Sequence, residues 1–223
     1  RQNAIKEFGC SPVEYLAKLG CLNERTIAVH CVALSDRDIE LLAESGASVV
    51  HCPVSNMRLG CGASPVVKLL KAGINVALGT DGAASACSLS MFEQMRTAGL
   101  IAKGFSQDPT ELTVNQIIRM ATINGANALK LHCDAGSLAV GKLADLAVID
   151  MSQLVTMPVL DVLSNVIYAV EAQCVHQVWV SGSLVANIQQ EKLLRPDRGK
   201  LLTKSNIMSW QNRVCEILRD DFN

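Results

Sequence analysis

Three side chains able to do acid–base or metal chemistry stand at the ends of three similar apolar runs. His30 closes Thr26-Ile27-Ala28-Val29, His51 closes Ala47-Ser48-Val49-Val50, and Asp81 follows Asn75-Val76-Ala77-Leu78 within Gly79-Thr80-Asp81-Gly82. A carboxylate is both a hard oxygen donor for a cation and a proton acceptor, so Asp81 reads as a metal ligand or general base. The competing reading is a turn or helix-capping aspartate, which D-G sequences commonly supply; spacing alone leaves the two even. His30 can ligate a metal, move a proton or hydrogen-bond a substrate. Alone it would more often be a core histidine bonded to backbone, but the same grammar at three successive runs weakens that reading. His51 precedes Cys52-Pro53, and two roles weigh equally for it: shaping the loop that carries Ser55 and Asn56, or touching substrate.

The elements that must position these groups follow from capping signals and apolar patterning. Ser11-Pro12-Val13-Glu14 and Thr113-Val114-Asn115-Gln116 are capping boxes, and Ser35 with Asp38 three residues on opens a further helix that stops near Gly46. Ser64-Pro65 starts another helix ending at Gly73, and a longer one runs from about Ser88 to Lys103. The apolar runs between them are continuous rather than alternating, which suits parallel strands buried on both faces. A strand-to-strand step of about 21 to 28 residues is the size of one β/α unit. In a parallel barrel, or in an open doubly wound sheet, the strand C-termini line the ligand-binding edge, so His30, His51 and Asp81 should share one rim.

After Lys103 the pattern changes. The helix from Thr113 should kink or break at Gly125. Strands are expected at Ala144–Ile149, Asn165–Val170 and Val175–Val180, with Ser181-Gly182 turning into Leu184-Val185-Ala186. From Thr203 to Arg219, Ile207, Trp210, Val214, Ile217 and Leu218 share one helical face. The expected domains are therefore a partial barrel over 1–135, a β-subdomain over 136–190 and an amphipathic helix within 191–223. Glu93 and Arg96 read as a helix-supporting pair, and His132 and His176 as structural or surface residues.

Hydrophobic residues make up 49% of the chain and charged residues 18%, enough for a sizeable core and too apolar for disorder. A net charge of −1 gives no reason to expect nucleic acid or an anionic membrane as partner. No apolar run reaches the ~20 residues of a membrane span, and no signal-peptide stretch opens the chain, so the expectation is a cytoplasmic protein. The nine cysteines are scattered with no C-x-x-C pair, which reads as reduced, buried thiols; a metal role for Cys52 and Cys61 ranks below that. There is no G-x-S-x-G elbow, P-loop or G-x-G-x-x-G.

Several runs resemble the aminohydrolases of the amidohydrolase superfamily. They are Val29-His30-Cys31-Val32, His51-Cys52-Pro53-Val54-Ser55-Asn56, Leu78-Gly79-Thr80-Asp81-Gly82-Ala83-Ala84-Ser85, Met120-Ala121-Thr122-Ile123-Asn124-Gly125-Ala126 and Gly136 to Leu146. The stretch Gly79 to Ser85 with Met91-Phe92-Glu93 is most similar to the methylthioadenosine/S-adenosylhomocysteine deaminase branch. The resemblance implies an α/β fold: the C-terminal part of a (β/α)₈ TIM-like barrel, with strands 6–8 present, plus part of a small β-sandwich and a C-terminal helix. It implies one divalent metal ion, usually zinc, bound by Asp81, which also takes a proton from the attacking water. It makes His30 a catalytic and substrate-contacting residue just outside the metal shell, and leaves His51 as a second substrate-binding candidate. The substrate would be a small purine nucleoside, deaminated hydrolytically, with no nucleic acid or membrane partner and self-association left open.

The family's other ligands are an H-x-H pair and the histidine of an H-x-x-E motif. Neither is present, and one carboxylate cannot hold a catalytic zinc, which takes three protein ligands. The expectation is a fragment of a longer enzyme, inactive by itself. Ala33 stands where close relatives often carry a polar residue, and Ala86-Cys87 where two asparagines are usual. The alternatives are another amidohydrolase, acting on guanine or a triazine, and a non-catalytic remnant.

Overall fold

The computed structural model describes residues 1–187 and the backbone of Lys192–Leu193. They form two compact units: Arg1–Lys142 with Leu154–Ala172, and Leu143–Gln153 with the described residues from Gln173 onward.

In the first unit β1 (Ile27–Val29), β2 (Ser48–His51) and β3 (Val76–Leu78) pair in parallel, in the order β1-β2-β3. The register sets Val29 beside Val50 and His51 beside Leu78. Because side chains alternate along a strand, Ala28, Val49 and Val76 share one face, while Val29, Val50 and Ala77 share the other. The first face is the packed one. Val49 and Val76 are fully buried in a core with Leu42, Leu69, Ile117 and Met120. On the opposite face Val29 is 49% exposed.

Helices alternate with these strands as the capping signals require. The first are α1 (Gln2–Phe8), α2 (Pro12–Lys18), α3 (Asp36–Ser45), α4 (Pro53–Arg58) and α5 (Val66–Lys71). After β3 come α6 (Ala83–Ala86), α7 (Met91–Ser106), α8 (Val114–Ala121), α9 (Ile123–Ala128) and α10 (Val162–Tyr168). The boxes at Ser11–Glu14, Ser35–Asp38 and Thr113–Gln116 all form, and Gly46 ends α3 in the left-handed conformation at φ 70°. The buried Asp38 carboxylate also accepts from Ser35 Oγ at 2.8 Å and bonds Ser11 Oγ, tying α2 to α3. On the far edge of the sheet, Asn124 donates to the Val76 carbonyl at 2.8 Å, so a side chain of α9 closes β3 where a fourth strand would otherwise pair.

Two local expectations are corrected. The break after α8 falls at Thr122 (φ −130°, ψ −97°), with Gly125 inside α9. Asn165–Val170 was expected as a strand, but Asp161 caps a helix there by accepting from Ser164 N at 2.9 Å. That helix, α10, sends Ile167 into the core of the first unit, so burial overrides the β-rich composition. Leu154–Ala172, which contains α10, accordingly groups with the first unit.

The second unit holds an antiparallel sheet in the order β4-β5-β6-β7: β4 (Leu146–Ile149), β5 (Val175–Val180), β6 (Ser183–Asn187) and β7 (Lys192–Leu193). Its Ser181-Gly182 turn is held from β4's side, where Asp145 Oδ1 accepts from Ser181 N at 2.7 Å. The helix expected between Thr203 and Arg219 lies outside the described residues. No described helix is long and apolar enough to cross a membrane.

Among the described residues β1 pairs with β2 alone, and it carries the exposed Ile27 and Val29 on an open edge. An uncovered apolar strand edge templates further pairing. The 223-residue polypeptide expressed alone should therefore self-associate, seen as species above monomer mass in sedimentation velocity at micromolar concentration. A monodisperse, cooperatively melting monomer would contradict this.

Candidate active site

The chain bends sharply at the end of β1. Cys31 N–H donates back to the Val29 carbonyl at 2.9 Å, closing a three-residue turn around His30 at φ 71°. Strand alternation would have sent His30 toward the helices with Ala28; the left-handed backbone takes it out of that sequence of faces. Asp81 is likewise left-handed, at φ 61°, just beyond β3. Non-glycine residues held there cost free energy, and such strain clusters at functional sites. Before Asp81 the chain must pass close to β2: a Cβ on Gly79 would sit 2.7 Å from Val50 Cγ1, so only glycine fits without displacing that side chain.

These two excursions meet. His30 Nε2 lies 3.9 Å from Asp81 Oδ2. The pair is held by consecutive residues of α4, which are fully buried: Ser55 Oγ donates to Asp81 Oδ2 at 2.6 Å, and Asn56 Oδ1 is 2.8 Å from His30 Nδ1. Gly82 N–H donates to Asp81 Oδ1 at 2.7 Å. Pro53 at the first turn of α4 and a bond from Val54 N to Gln94 Oε1 (3.3 Å) on α7 fix that helix in turn.

The Ser55 hydroxyl above all, then the Gly82 amide and the Ser85 hydroxyl, and last the nearby His30, hold the Asp81 carboxyl down to about 2. It is ionised at neutral pH. With Ser55 on Oδ2 and Gly82 on Oδ1, the carboxylate keeps lone-pair capacity for a cation. Asp81 fits as one metal ligand, and the described residues supply no complete set: among them no group of three His, Cys, Asp or Glu side chains could hold a metal. Cys52 does not help, because burial first and the Asp81 charge second push its thiol up to about 11, and Cys61 is exposed.

His51 is not brought to the pair. By register it lies on the packed side of β2, 1% exposed, in the wall of a cavity formed with α5 and α7, and among the described residues its Nδ1 has no hydrogen-bond partner. The rim expected from three strand ends is therefore built from two, with Ser55 and Asn56 as the residues that pattern reading treated only as loop. Arg96, read as paired with Glu93, donates instead to the Val170 carbonyl at 2.9 Å.

A model of the amidohydrolase family matches residues 1–185. The chain belongs to the amidohydrolase family. It is 46% identical over 178 residues to a 5-methylthioadenosine/S-adenosylhomocysteine deaminase of Moorella thermoacetica, covering 80% of this chain and 42% of the relative. It is 44% identical over 180 residues to a 5'-deoxyadenosine deaminase of Methanothermobacter thermautotrophicus, covering 81% and 42%. Among solved structures, an adenosine deaminase from Xanthomonas campestris with bound zinc superimposes with a TM-score of 0.87 at 39% identity, over 96% of this chain and 48% of that one. The chain thus spans about half the length of the curated relatives it matches.

Burial, and next the nearby His30, lower the His51 pKa to about 4, so the folded state keeps its imidazole neutral. The unfolded chain takes up that proton below about 6.5. More protons on the unfolded state mean that stability falls as pH drops from about 6.5 to 4, by on the order of 3 kcal/mol. Urea midpoints between pH 7 and 4.5 should show this slope, and His51→Leu should flatten it whatever its effect at pH 7. An unchanged slope in the variant would assign the acid sensitivity elsewhere.

Proposed function

We propose that this chain forms the C-terminal part of a metal-dependent hydrolase that deaminates a purine nucleoside of the methylthioadenosine, S-adenosylhomocysteine or 5'-deoxyadenosine type. The observation that carries the reading is the His30–Asp81 pair, brought within 3.9 Å from two different strand ends and held by Ser55 and Asn56. Family membership and the deaminase relatives give that pair its chemistry. In this reading β1, β2 and β3 are the sixth, seventh and eighth strands of a (β/α)₈ barrel, and the remaining metal ligands and the proton-donating carboxylate come from outside this chain.

A bound divalent metal, zinc by analogy with the Xanthomonas structure, makes water nucleophilic at neutral pH. Asp81 is the ligand this chain contributes. A carboxyl held at about 2 is a poor resting base, which suits a cation ligand that accepts a proton only in passing. With the His30 Nδ1 engaged by Asn56, its Nε2 is left 3.9 Å from Asp81 Oδ2, in reach of a proton passing between them. Water adds to that carbon, ammonia departs, and the His30–Asp81 pair holds the proton between these events.

The test uses the complete polypeptide. Ammonia release is followed with methylthioadenosine, S-adenosylhomocysteine, 5'-deoxyadenosine, guanine and a chlorotriazine, and zinc content is measured alongside. Asp81→Ala should abolish turnover and lower bound zinc. His30→Ala should cut turnover by about 10² to 10⁴ while zinc stays bound. Full zinc occupancy with retained activity in Asp81→Ala would remove Asp81 from the metal, and turnover of guanine or the triazine alone would replace the nucleoside.

A further inference from the structure

The helix that holds the acid–base pair is poorly closed at its own start. Cys52, ahead of α4, gives no side-chain cap, and Pro53 has no N–H. Asn56 N–H bonds the Cys52 carbonyl at 3.0 Å, which leaves the Val54 and Ser55 amides of the first turn without an acceptor in their own helix. Gln94 of α7 supplies one from 40 residues along the chain: its Oε1 accepts from Val54 N–H at 3.3 Å.

Gln94 is fully buried, and among the described residues its Nε2 has no hydrogen-bond partner. The orientation of its amide is forced, because turning it over would set an N–H₂ group against the Val54 N–H. An apolar residue of the same length would fill the space without an orphaned donor, so the oxygen on Val54 is what this side chain contributes. α7 can serve as a fixed platform because it is tied to the α10 region. A Cβ on Gly99 would sit 2.7 Å from the Tyr168 hydroxyl oxygen, and Arg96 donates to the Val170 carbonyl at 2.9 Å. From Gln94 the link passes to Val54, and the next two residues of α4 are Ser55 and Asn56, which bond Asp81 and His30.

We infer that Gln94 is a positioning residue for the His30–Asp81 pair. It caps α4 from a neighbouring helix and so fixes where Ser55 and Asn56 meet the two strand ends. Its effect on turnover rests on the deamination proposed above; its effect on the geometry of the pair does not.

The test compares Gln94→Met, which keeps the volume and removes the oxygen, with Gln94→Glu, which keeps an acceptor where a helix N-terminus favours one. Both are made in the complete polypeptide. In the metal-free protein Gln94→Met should speed hydrogen exchange of the Val54 amide and shift the ¹⁵N signals of the His30 ring, and Gln94→Glu should leave the Val54 amide protected. With substrate, Gln94→Met should lower kcat by about tenfold to a hundredfold, the effect of an ångström-scale misplacement, with KM little changed. Its unfolding midpoint should move little, since the Val54 donor left bare is offset by the loss of the unpartnered Nε2. Gln94→Glu should restore kcat. Equal losses of kcat in both variants, or an unmoved His30 signal in Gln94→Met, would overturn the role. Should Gln94→Met fail to fold, the unaltered protein decides: a protected Val54 amide sustains the bond, and one that exchanges freely removes it. Altered Val54 exchange and His30 signals in a protein that deaminates none of the substrates would keep the positioning role and sink only the reaction.

Discussion

The hydrogen bonds from two adjacent side chains of α4 to two different strand ends are the contacts on which the site depends. Ser55 fixes the Asp81 carboxylate and Asn56 fixes the His30 imidazole. Because Ser55 and Asn56 are neighbours on a rigid turn, the separation of acid and base is set by helix geometry and not by two independent loops. Both residues are buried, so the polar atoms they devote to the site exchange with water poorly. The neutral partner matters as well. An amide oxygen beside Nδ1 orients the ring without adding the charge that a carboxylate there would bring.

That rigidity is needed because the backbone under the pair is strained. His30 and Asp81 both hold positive φ, a conformation non-glycine residues adopt only when their surroundings impose it. The surroundings here are the parallel sheet on one side and α4 on the other. His30 N–H is tied to the Val50 carbonyl and Gly79 N–H to the His51 carbonyl, each at 2.9 Å, so β2 anchors both excursions at the residue where they leave the sheet. Gly79 lets the third strand come close enough to do so. The sheet is small, but its central strand anchors both excursions that form the site.

Much of this was legible in the residues. The three capping boxes, the three apolar runs and the chemistry at their ends follow from local rules, and the structure brings two of those ends, His30 and Asp81, within 3.9 Å. What failed needed long-range information. His51 ends its run as His30 does, yet its backbone stays regular, so alternation carries it to the side of Val49, away from the pair. Nothing in Val29-His30-Cys31 or Val50-His51-Cys52 announces which histidine will be held at positive φ. The signal for Ser55 and Asn56 was present and under-read: Pro53 in the motif His51 to Asn56 is a helix-start residue, and a helix there aims polar side chains at its neighbours. Asn165–Val170 misled for the opposite reason, since Val166, Ile167 and Val170 suit a strand locally and only the Asp161 cap and the core around Ile167 make them helical.

The charge state of Asp81 is set by hydrogen bonds that this chain supplies itself. A lone buried carboxylate without partners would carry a heavy desolvation cost and would protonate. Asp81 escapes this by being partly exposed and by taking its stabilisation from a hydroxyl and an amide rather than from a cation. Its ionisation is therefore set by the hydroxyl and amide donors around it, and a cation binding there, as proposed, need not first displace a proton. His51 makes the complementary case: buried where no donor or acceptor reaches Nδ1, it gives up its charge instead. Two polar side chains at the ends of neighbouring strands thus reach opposite electrostatic solutions, and the difference between them is whether α4 lies within hydrogen-bonding distance.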